Sequence, residues 1–330
     1  MAKRRFQYEV ATGKLTLPVT ILLSTVLWIV FSFFKPIPTL NSSYPFWQML
    51  LEWVPGNVSG NIFCFLCYGV IAYLLIEFNN AYSIIRMRTS LQTSVYLLMI
   101  LAFPFLHRLN IGCLVSLCTI ISLYLLFRCY QKQQPVGYFF HSMLFMGIAS
   151  LLFPKILLLV PVFLIGIYNF KALTMRTFFA GMMGLTLPYW FLFGHAFYHG
   201  KMDLFYIPFK ELVCFQPLFS LNLGIPFYIS AGFMFFLLLV SSIHYWITSY
   251  EDKIRIRAYL NFLIIFSFST IIFGVLQVQY AEILLQVLLP VVALLMGHLF
   301  ALSHTKVSNL FFIFSILLLV IIMCYNLWML

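Results

Sequence analysis

The sequence predicts an all-α integral membrane protein with about eleven transmembrane helices. Hydrophobic residues make up 63% of the 330-residue chain, whereas about half is usual for water-soluble domains. They also occur in long runs from one end of the chain to the other, and a helix needs roughly 17 to 25 such residues to cross a bilayer. The connections between the runs are too short for a core of their own. We therefore expect a single polytopic membrane domain over residues 1–330.

The predicted spans follow one another with polar or turn-forming segments between them. The first run comes after a basic N-terminus without a small-residue cleavage site, which predicts an uncleaved span instead of a removed signal peptide. The third and sixth runs are short and share tight connections with a neighbour, which predicts packed hairpins. The spans are 17–34, 61–78, 92–106, 111–128, 137–153, 156–170, 177–194, 224–247, 258–276, 281–303 and 307–328.

The positions of Lys and Arg predict a cytoplasmic N-terminus and an external C-terminus. Cytoplasmic loops of membrane proteins carry an excess of Lys and Arg, and this topology places most of the 19 cations of the chain inside. The net charge of +11 is then explained by anionic lipid headgroups, so no nucleic-acid partner is expected. The cations left outside are Lys35, Arg108, Lys155, Lys201 and Lys210.

One predicted inner loop, EFNNAYSIIRMRTSL at 77–91, is unusually polar for this chain. Arg86 and Arg88 at headgroup depth would orient the chain, and Asn79 would end the preceding helix. Glu77 has two interpretations. It either pairs with one of the arginines, or it is an ionisable group retained within the membrane for function.

Two further groups of reactive side chains have structural interpretations. Glu251 and Asp252 stand beside three cations, which predicts a solvated, self-paired inner loop. Cys64 and Cys67 form a C-x-x-C within the second span. Thiols inside spans behave as small apolar groups, so packing is favoured, and a redox or metal role stays open as the alternative.

Two predicted outer loops, 35–60 and 195–223, are longer than the rest. The first contains YPFWQMLLEW, whose apolar residues and Gln48 with Glu52 fall on opposite helix faces, which predicts a short interfacial helix. The second mixes charged and aromatic residues, and we expect it to lie along the outer surface.

The second outer loop also contains a candidate metal site. In HAFYHGKMD, the residues His195, His199 and Asp203 recur every four positions. On a continuous helix they would share a face, a spacing suited to a divalent metal. Gly200 favours a helix end instead. A divalent metal is therefore the cofactor that the sequence leaves open.

No P-loop, H-E-x-x-H or G-x-S-x-G motif occurs in the sequence, but the order of its features resembles a known layout. A first span, an outer loop with a juxtamembrane helix, tight hairpins and a long outer loop after the seventh span resemble GT-C glycosyltransferases, with 152–194 similar to their middle spans. More closely, EFNNAYSIIRMRTSL and FFAGMMGLTLPYWFLF resemble an uncharacterised family of multi-pass inner-membrane proteins from Bacteroidetes-type bacteria.

The GT-C resemblance implies the handling of a polyprenyl-phosphate-linked or other lipid-linked substrate at the outer leaflet. Glu52 or Asp203 would then be the catalytic base, since the acceptor hydroxyl must lose its proton. Arg108, Lys201 and Lys210 would bind the phosphate. The alternative is a non-enzymatic subunit of an envelope complex, whose outer loops contact partner proteins. A transporter comes third, because charge is nearly absent from the span centres.

Overall fold

The computed structural model describes residues 6–34, 47, 51, 57–87, 89–107, 109–215, 223–303 and 305–329. Within these ranges every regular element is helical, which confirms the predicted all-α class. The α-helices in chain order are α1 Phe6–Thr12, α2 Thr16–Phe34, α3 Asn57–Tyr82, α4 Leu91–Ala102, α5 Ile111–Phe127, α6 Val136–Leu152, α7 Val160–Asn169, α8 Met175–Tyr198, α9 Asp203–Val213, α10 Ile225–Thr248, α11 Ile254–Leu276, α12 Ala281–Leu302 and α13 Lys306–Met329.

Six of these helices are long and apolar enough to cross a membrane: α3, α8, α10, α11, α12 and α13. A seventh span results if α1 and α2, which meet at 87°, are counted together. Four further apolar helices are shorter; α4, for example, is about 18 Å long at 1.5 Å per residue, against about 30 Å of hydrocarbon. A helix occurs at each predicted span, but the number that cross the membrane and their orientation stay predictions. The chain is a multi-pass helical membrane protein.

Helix α12 lies at the centre of the bundle. All of its residues from Leu284 to Ala301 are buried, and it packs against α4, α5, α10 and α11. Two polar side chains, Gln286 and His298, lie within this buried stretch. Helices α8 and α13 lie at the periphery and expose most of the surface of their apolar stretches.

The loops at one end of the bundle are joined to one another by hydrogen bonds. The backbone N–H of Gln131 donates to the carbonyl of Phe170 at 3.0 Å, and the hydroxyl of Tyr259 donates to the carbonyl of Phe127 at 3.0 Å. At the same end, Arg86 contacts the loop between α10 and α11. We call this the basic end because its loops and the adjoining helix ends carry the described cations Arg86, Arg128, Lys132, Lys171, Arg176, Lys253, Arg255, Arg257 and Lys306.

The other end, which we call the opposite end, contains the turns after α4, α6 and α11 together with α9. Its elements are also tied together. The amide of Asn326 in α13 donates to the carbonyl of Ala102 at 2.9 Å and to the hydroxyl of Ser230 at 3.0 Å. The positive-inside distribution predicts that the opposite end faces outward.

Glycine allows α6 and α8 to pack at backbone distance. A Cβ atom on Gly184 would lie 2.3 Å from the carbonyl oxygen of Phe140, and one on Gly147 would lie 2.6 Å from the carbonyl oxygen of Leu185. Such close approach is how membrane helices associate, because lipid supplies no hydrophobic force between them. The glycines therefore set the spacing of this helix pair.

We expect Gly184→Ala to lower the free energy of unfolding by about 1–3 kcal/mol, because the new methyl group overlaps backbone that cannot move aside. Gly194→Ala on the same helix is the control, since no heavy atom lies within 4 Å of a Cβ placed there. Thermal unfolding of both variants in detergent measures the difference. Equal melting temperatures for the two variants would show that the close approach is not required.

Candidate functional site

Lys155 at the opposite end is a fully buried cation. It lies in the 3-10 turn Pro154–Leu159 between α6 and α7, and none of its surface is exposed. Its Nζ donates to the carbonyl oxygen of Cys214 at 2.5 Å and lies 4.3 Å from the ring centroid of Phe215 and 4.9 Å from that of Tyr280. Among the described residues no carboxylate lies within 4 Å of Nζ. Lys155, Cys214, Phe215 and Tyr280 are called the Lys155 site below.

The chain builds this site by reversing direction after α8. Gly200 has φ +64°, a left-handed conformation that glycine adopts readily and that ends helices. Helix α9 then runs antiparallel along α8, with Phe205 and Phe209 each 5.4 Å, ring to ring, from an aromatic residue of α8. This return brings Cys214, just after α9, onto Lys155. The loop predicted to lie along the outer surface is therefore, over its described part, a helical hairpin.

An apolar groove of about 410 Å³ lies at the same end, between α10, α11 and α12. Small lining residues leave the space that forms the groove. The side chains of Phe235 and Val275, which line it, are exposed, so the groove opens sideways, away from the bundle. Two of its lining residues, Val278 and Ala281, flank Tyr280 of the Lys155 site. Lining residues include Ala231, Gly232, Phe235, Gly274, Val275 and Leu285.

The candidate metal site does not form a shared helical face. His195 and His199 are exposed at the end of α8, with ring centroids 4.5 Å apart. Asp203 begins α9, after the reversal at Gly200, so the continuous helix that the metal site required is absent. No group of three His, Cys, Asp or Glu side chains in the described part of the chain is placed to hold a metal ion.

The other predicted site residues are dispersed. Glu52, Arg88 and Arg108 lie outside the described residues. Asp203, Lys201 and Lys210 are exposed, and Asp203 stands at the far end of α9 from Cys214, about 16 Å away along an eleven-residue helix. The structure therefore does not bring these three described residues into one pocket. Cys64 and Cys67 are buried on α3.

At the basic end, Asp252 forms a buried charge network. Its side chain is 0% exposed; Arg86 Nε donates to its Oδ1 at 2.8 Å, and His298 Nε2 lies 3.3 Å from its Oδ2. Arg86 also reaches Glu251, at 3.4 Å on the surface. The prediction of a solvated loop is wrong for Asp252, because the turn Ser249–Glu251 places this residue against the buried end of α12.

The neighbours of Asp252 decide its ionisation. Burial alone would raise the pKa of the Asp252 carboxyl, but the hydrogen bonds and charges of His298 and Arg86 outweigh burial and hold the pKa below its ordinary value. Asp252 is therefore a carboxylate at neutral pH, joining the loop after α3, the loop after α10 and α12.

The polar loop at 77–91 has a different internal arrangement from the predicted one. Asn79 does not end α3, which continues to Tyr82. It is buried, and its side-chain oxygen accepts from the N–H of Ile85 at 2.8 Å while its amide donates to the carbonyl of Met87 at 3.3 Å. Arg86 pairs with Asp252 and Glu251 instead of the half-buried Glu77. Asn79 thus fixes the loop that presents Arg86.

The sequence counts Lys155 among the outer cations without a specific binding role, and neither Tyr280 nor His298 stands out in it. A signal for Lys155 exists, since it is a lone cation in the apolar stretch LLFPKILLL. Comparison with family profiles, with curated proteins and with solved structures finds no match to this chain.

We expect Asp252→Asn to lower the free energy of unfolding by about 3 kcal/mol at neutral pH, because it leaves Arg86 without its buried counter-charge. Glu251→Gln is the matched control; its carboxylate is half exposed, and exposed pairs contribute less than about 1 kcal/mol. Thermal unfolding in detergent compares the two variants. Equal effects would contradict the assignment of Asp252 as the anchor.

Comparison of Asp252→Asn with the wild-type protein also tests the pKa of Asp252. Because the folded pKa of Asp252 is depressed, its contribution is fully present above the unfolded pKa of about 3.9 and is lost as the pH falls through the folded value. The stability difference between the wild-type protein and Asp252→Asn should be constant near neutral pH and should disappear below about pH 4. A difference that already shrinks between pH 8 and 6 would contradict the depressed pKa of Asp252.

Proposed function

We propose that the protein binds a lipid phosphate, such as a polyprenyl-phosphate-linked sugar, at the outer leaflet of the bacterial inner membrane, as a GT-C-like glycosyltransferase or a degenerate relative. The observation that carries this proposal is the apolar groove, which opens sideways at the end of the bundle where Lys155 is buried. A lipid chain enters such a groove from the bilayer without crossing water.

The dimensions and lining of the groove support a chain-like ligand. Ligand pockets commonly measure about 300–1,000 Å³ and combine an apolar lining with a few polar groups that fix orientation. The groove has about 410 Å³, and its wall ends at the turn that carries Tyr280. An apolar chain along α10 and α11 would place its polar head beside this turn.

Transfer chemistry at the head requires a base within hydrogen-bonding reach, and Glu52 is the candidate for a head bound beside Lys155. Asp203, exposed at the first turn of α9, lies about 16 Å from Cys214 along the helix, too far to take a proton there. The alternative function is that of an envelope-complex subunit that holds a lipid without reacting with it. Both functions require the groove, but only the transferase requires a carboxylate as catalytic base.

We expect Gly232→Trp to abolish lipid binding in the groove, because the indole would occupy the space that a chain requires. No heavy atom lies within 4 Å of a Cβ placed on Gly232, and the same holds for Gly194, which does not line the groove. Gly194→Trp is therefore the matched control. Crosslinking with a photoactivatable polyprenyl phosphate in native membranes measures binding. Equal labelling of the two variants would overturn the groove assignment.

We further expect Glu52→Gln to abolish complementation of a deletion strain at unchanged protein level, since removal of a positioned base costs about a hundredfold or more in rate. Asp203→Asn removes an acid far from the headgroup and is the control, which should complement fully. Both variants should retain the lipid crosslink. Full complementation by Glu52→Gln as well would exclude transfer and favour the envelope-subunit function.

A further inference from the structure

We propose that Lys155 Nζ is the ligand for the phosphate of the lipid whose chain occupies the apolar groove. The inference rests on the proposed function and assigns the headgroup site to a residue different from the exposed lysines that the sequence suggests. It is carried by the burial of Lys155, by the lack of an ion pair to its ammonium among the described residues, and by its connection to the groove through Tyr280.

Lys155 forms no ion pair among the described residues: the carboxylate of Glu211, near the end of α9, acts on its charge from a distance greater than 4 Å. An ammonium carries three donors, and the contacts of this one are a carbonyl oxygen and the rings of Phe215 and Tyr280. Lysine is almost never fully buried unless it is paired, because removing the charge from water is unfavourable. A methionine would fill the same space without that penalty. An anionic ligand supplies the missing partner.

Tyr280 links the ammonium to the groove. It belongs to the turn Val278–Tyr280, and both Val278 and Ala281 line the groove. The ring of Tyr280 also packs on Phe153, with centroids 5.4 Å apart, next to the turn that carries Lys155. The apolar part of a lipid that lies against Val278 and Ala281 therefore ends next to Tyr280, whose ring contacts Nζ.

Cys214 and Phe215 cover Lys155, and movement of these two residues would admit a phosphate. Cys214 and Phe215 follow the last residue of α9, and both are exposed on their outer side. The carbonyl of Cys214 occupies a donor direction of Nζ that a phosphate oxygen would take over. Displacement of these two residues opens the ammonium while α9 stays packed on α8 through Phe205 and Phe209.

Lys201 and Lys210, the exposed lysines near the same segment, are the alternative ligands for the phosphate. Lys201 and Lys210 are in contact with water, where an ion pair with phosphate contributes little. The buried ammonium offers the stronger interaction because hydrogen bonds to charged groups strengthen in a low-dielectric site. Specificity for a charged headgroup should therefore depend on Lys155.

The test measures binding of a long-chain polyprenyl phosphate and of the corresponding neutral polyprenol to the purified full-length protein. We expect the wild-type protein to prefer the phosphate, Lys155→Met to lose about tenfold to a hundredfold in affinity for the phosphate alone, and Lys155→Arg to retain most of the preference. Lys210→Met is the matched control and should bind as the wild-type protein does. Unchanged phosphate affinity in a folded Lys155→Met protein would overturn the proposal.

A second measurement on the wild-type protein does not depend on the folding of any variant. Cys214 and Cys324 are both exposed, so a maleimide should label both. Because the bound phosphate displaces Cys214, the polyprenyl phosphate should change the labelling rate of Cys214 and leave that of Cys324 unchanged, while neither polyprenol nor inorganic phosphate alone changes it. A changed rate with inorganic phosphate would point to a free-anion site and overturn the lipid assignment. If neither lipid binds the wild-type protein, the proposed function fails as well, whereas equal binding of both lipids removes only the role of Lys155.

Discussion

Enclosure of α12 by protein is the constraint on which the other helices depend. Lipid does not drive helices together, so a helix that is surrounded on all sides must be held by close packing and by its polar groups. Gly112 and Gly297 provide the close packing. A Cβ on Gly112 would lie 2.3 Å from Gln286 Oε1, and one on Gly297 would lie 2.7 Å from the Cβ of Gln92. These contacts fix α4 and α5 against the central helix.

The Lys155 site and the Asp252 network are each attached to one end of this helix. At the basic end, His298 meets Asp252, which in turn binds Arg86, so three segments distant in sequence share one buried charge network. At the opposite end, Tyr280 immediately precedes α12 and contacts Lys155. The groove is formed where α10 and α11 diverge from the first turns of α12. The proposed site is thus built on the most enclosed element of the fold, which gives its residues fixed positions.

Much of the helical framework follows from hydrophobicity, because apolar run length and turn residues determine where a membrane helix begins and ends. The enclosure of α12 does not follow from it. Helix α13 is the more apolar of the two, yet 22% of its most apolar stretch is buried, against 94% for the segment containing α12. The sequence likewise gives no sign that Arg86 and Asp252 meet, since 166 positions separate them. The reversal at Gly200 was visible in advance, because glycine is the residue that a left-handed helix end requires.

The central claim is that one lipid occupies both the apolar groove and the Lys155 site, and it can be observed directly. A cryo-electron microscopy structure of the protein in lipid nanodiscs with a long-chain polyprenyl phosphate would locate the ligand. We predict continuous density along Gly232, Gly274 and Leu285 that ends in a phosphate within hydrogen-bonding distance of Lys155 Nζ, with the Cys214 carbonyl displaced. A groove without chain density, or a phosphate bound at Lys201 or Lys210 while Lys155 keeps its contact with Cys214, would contradict this account.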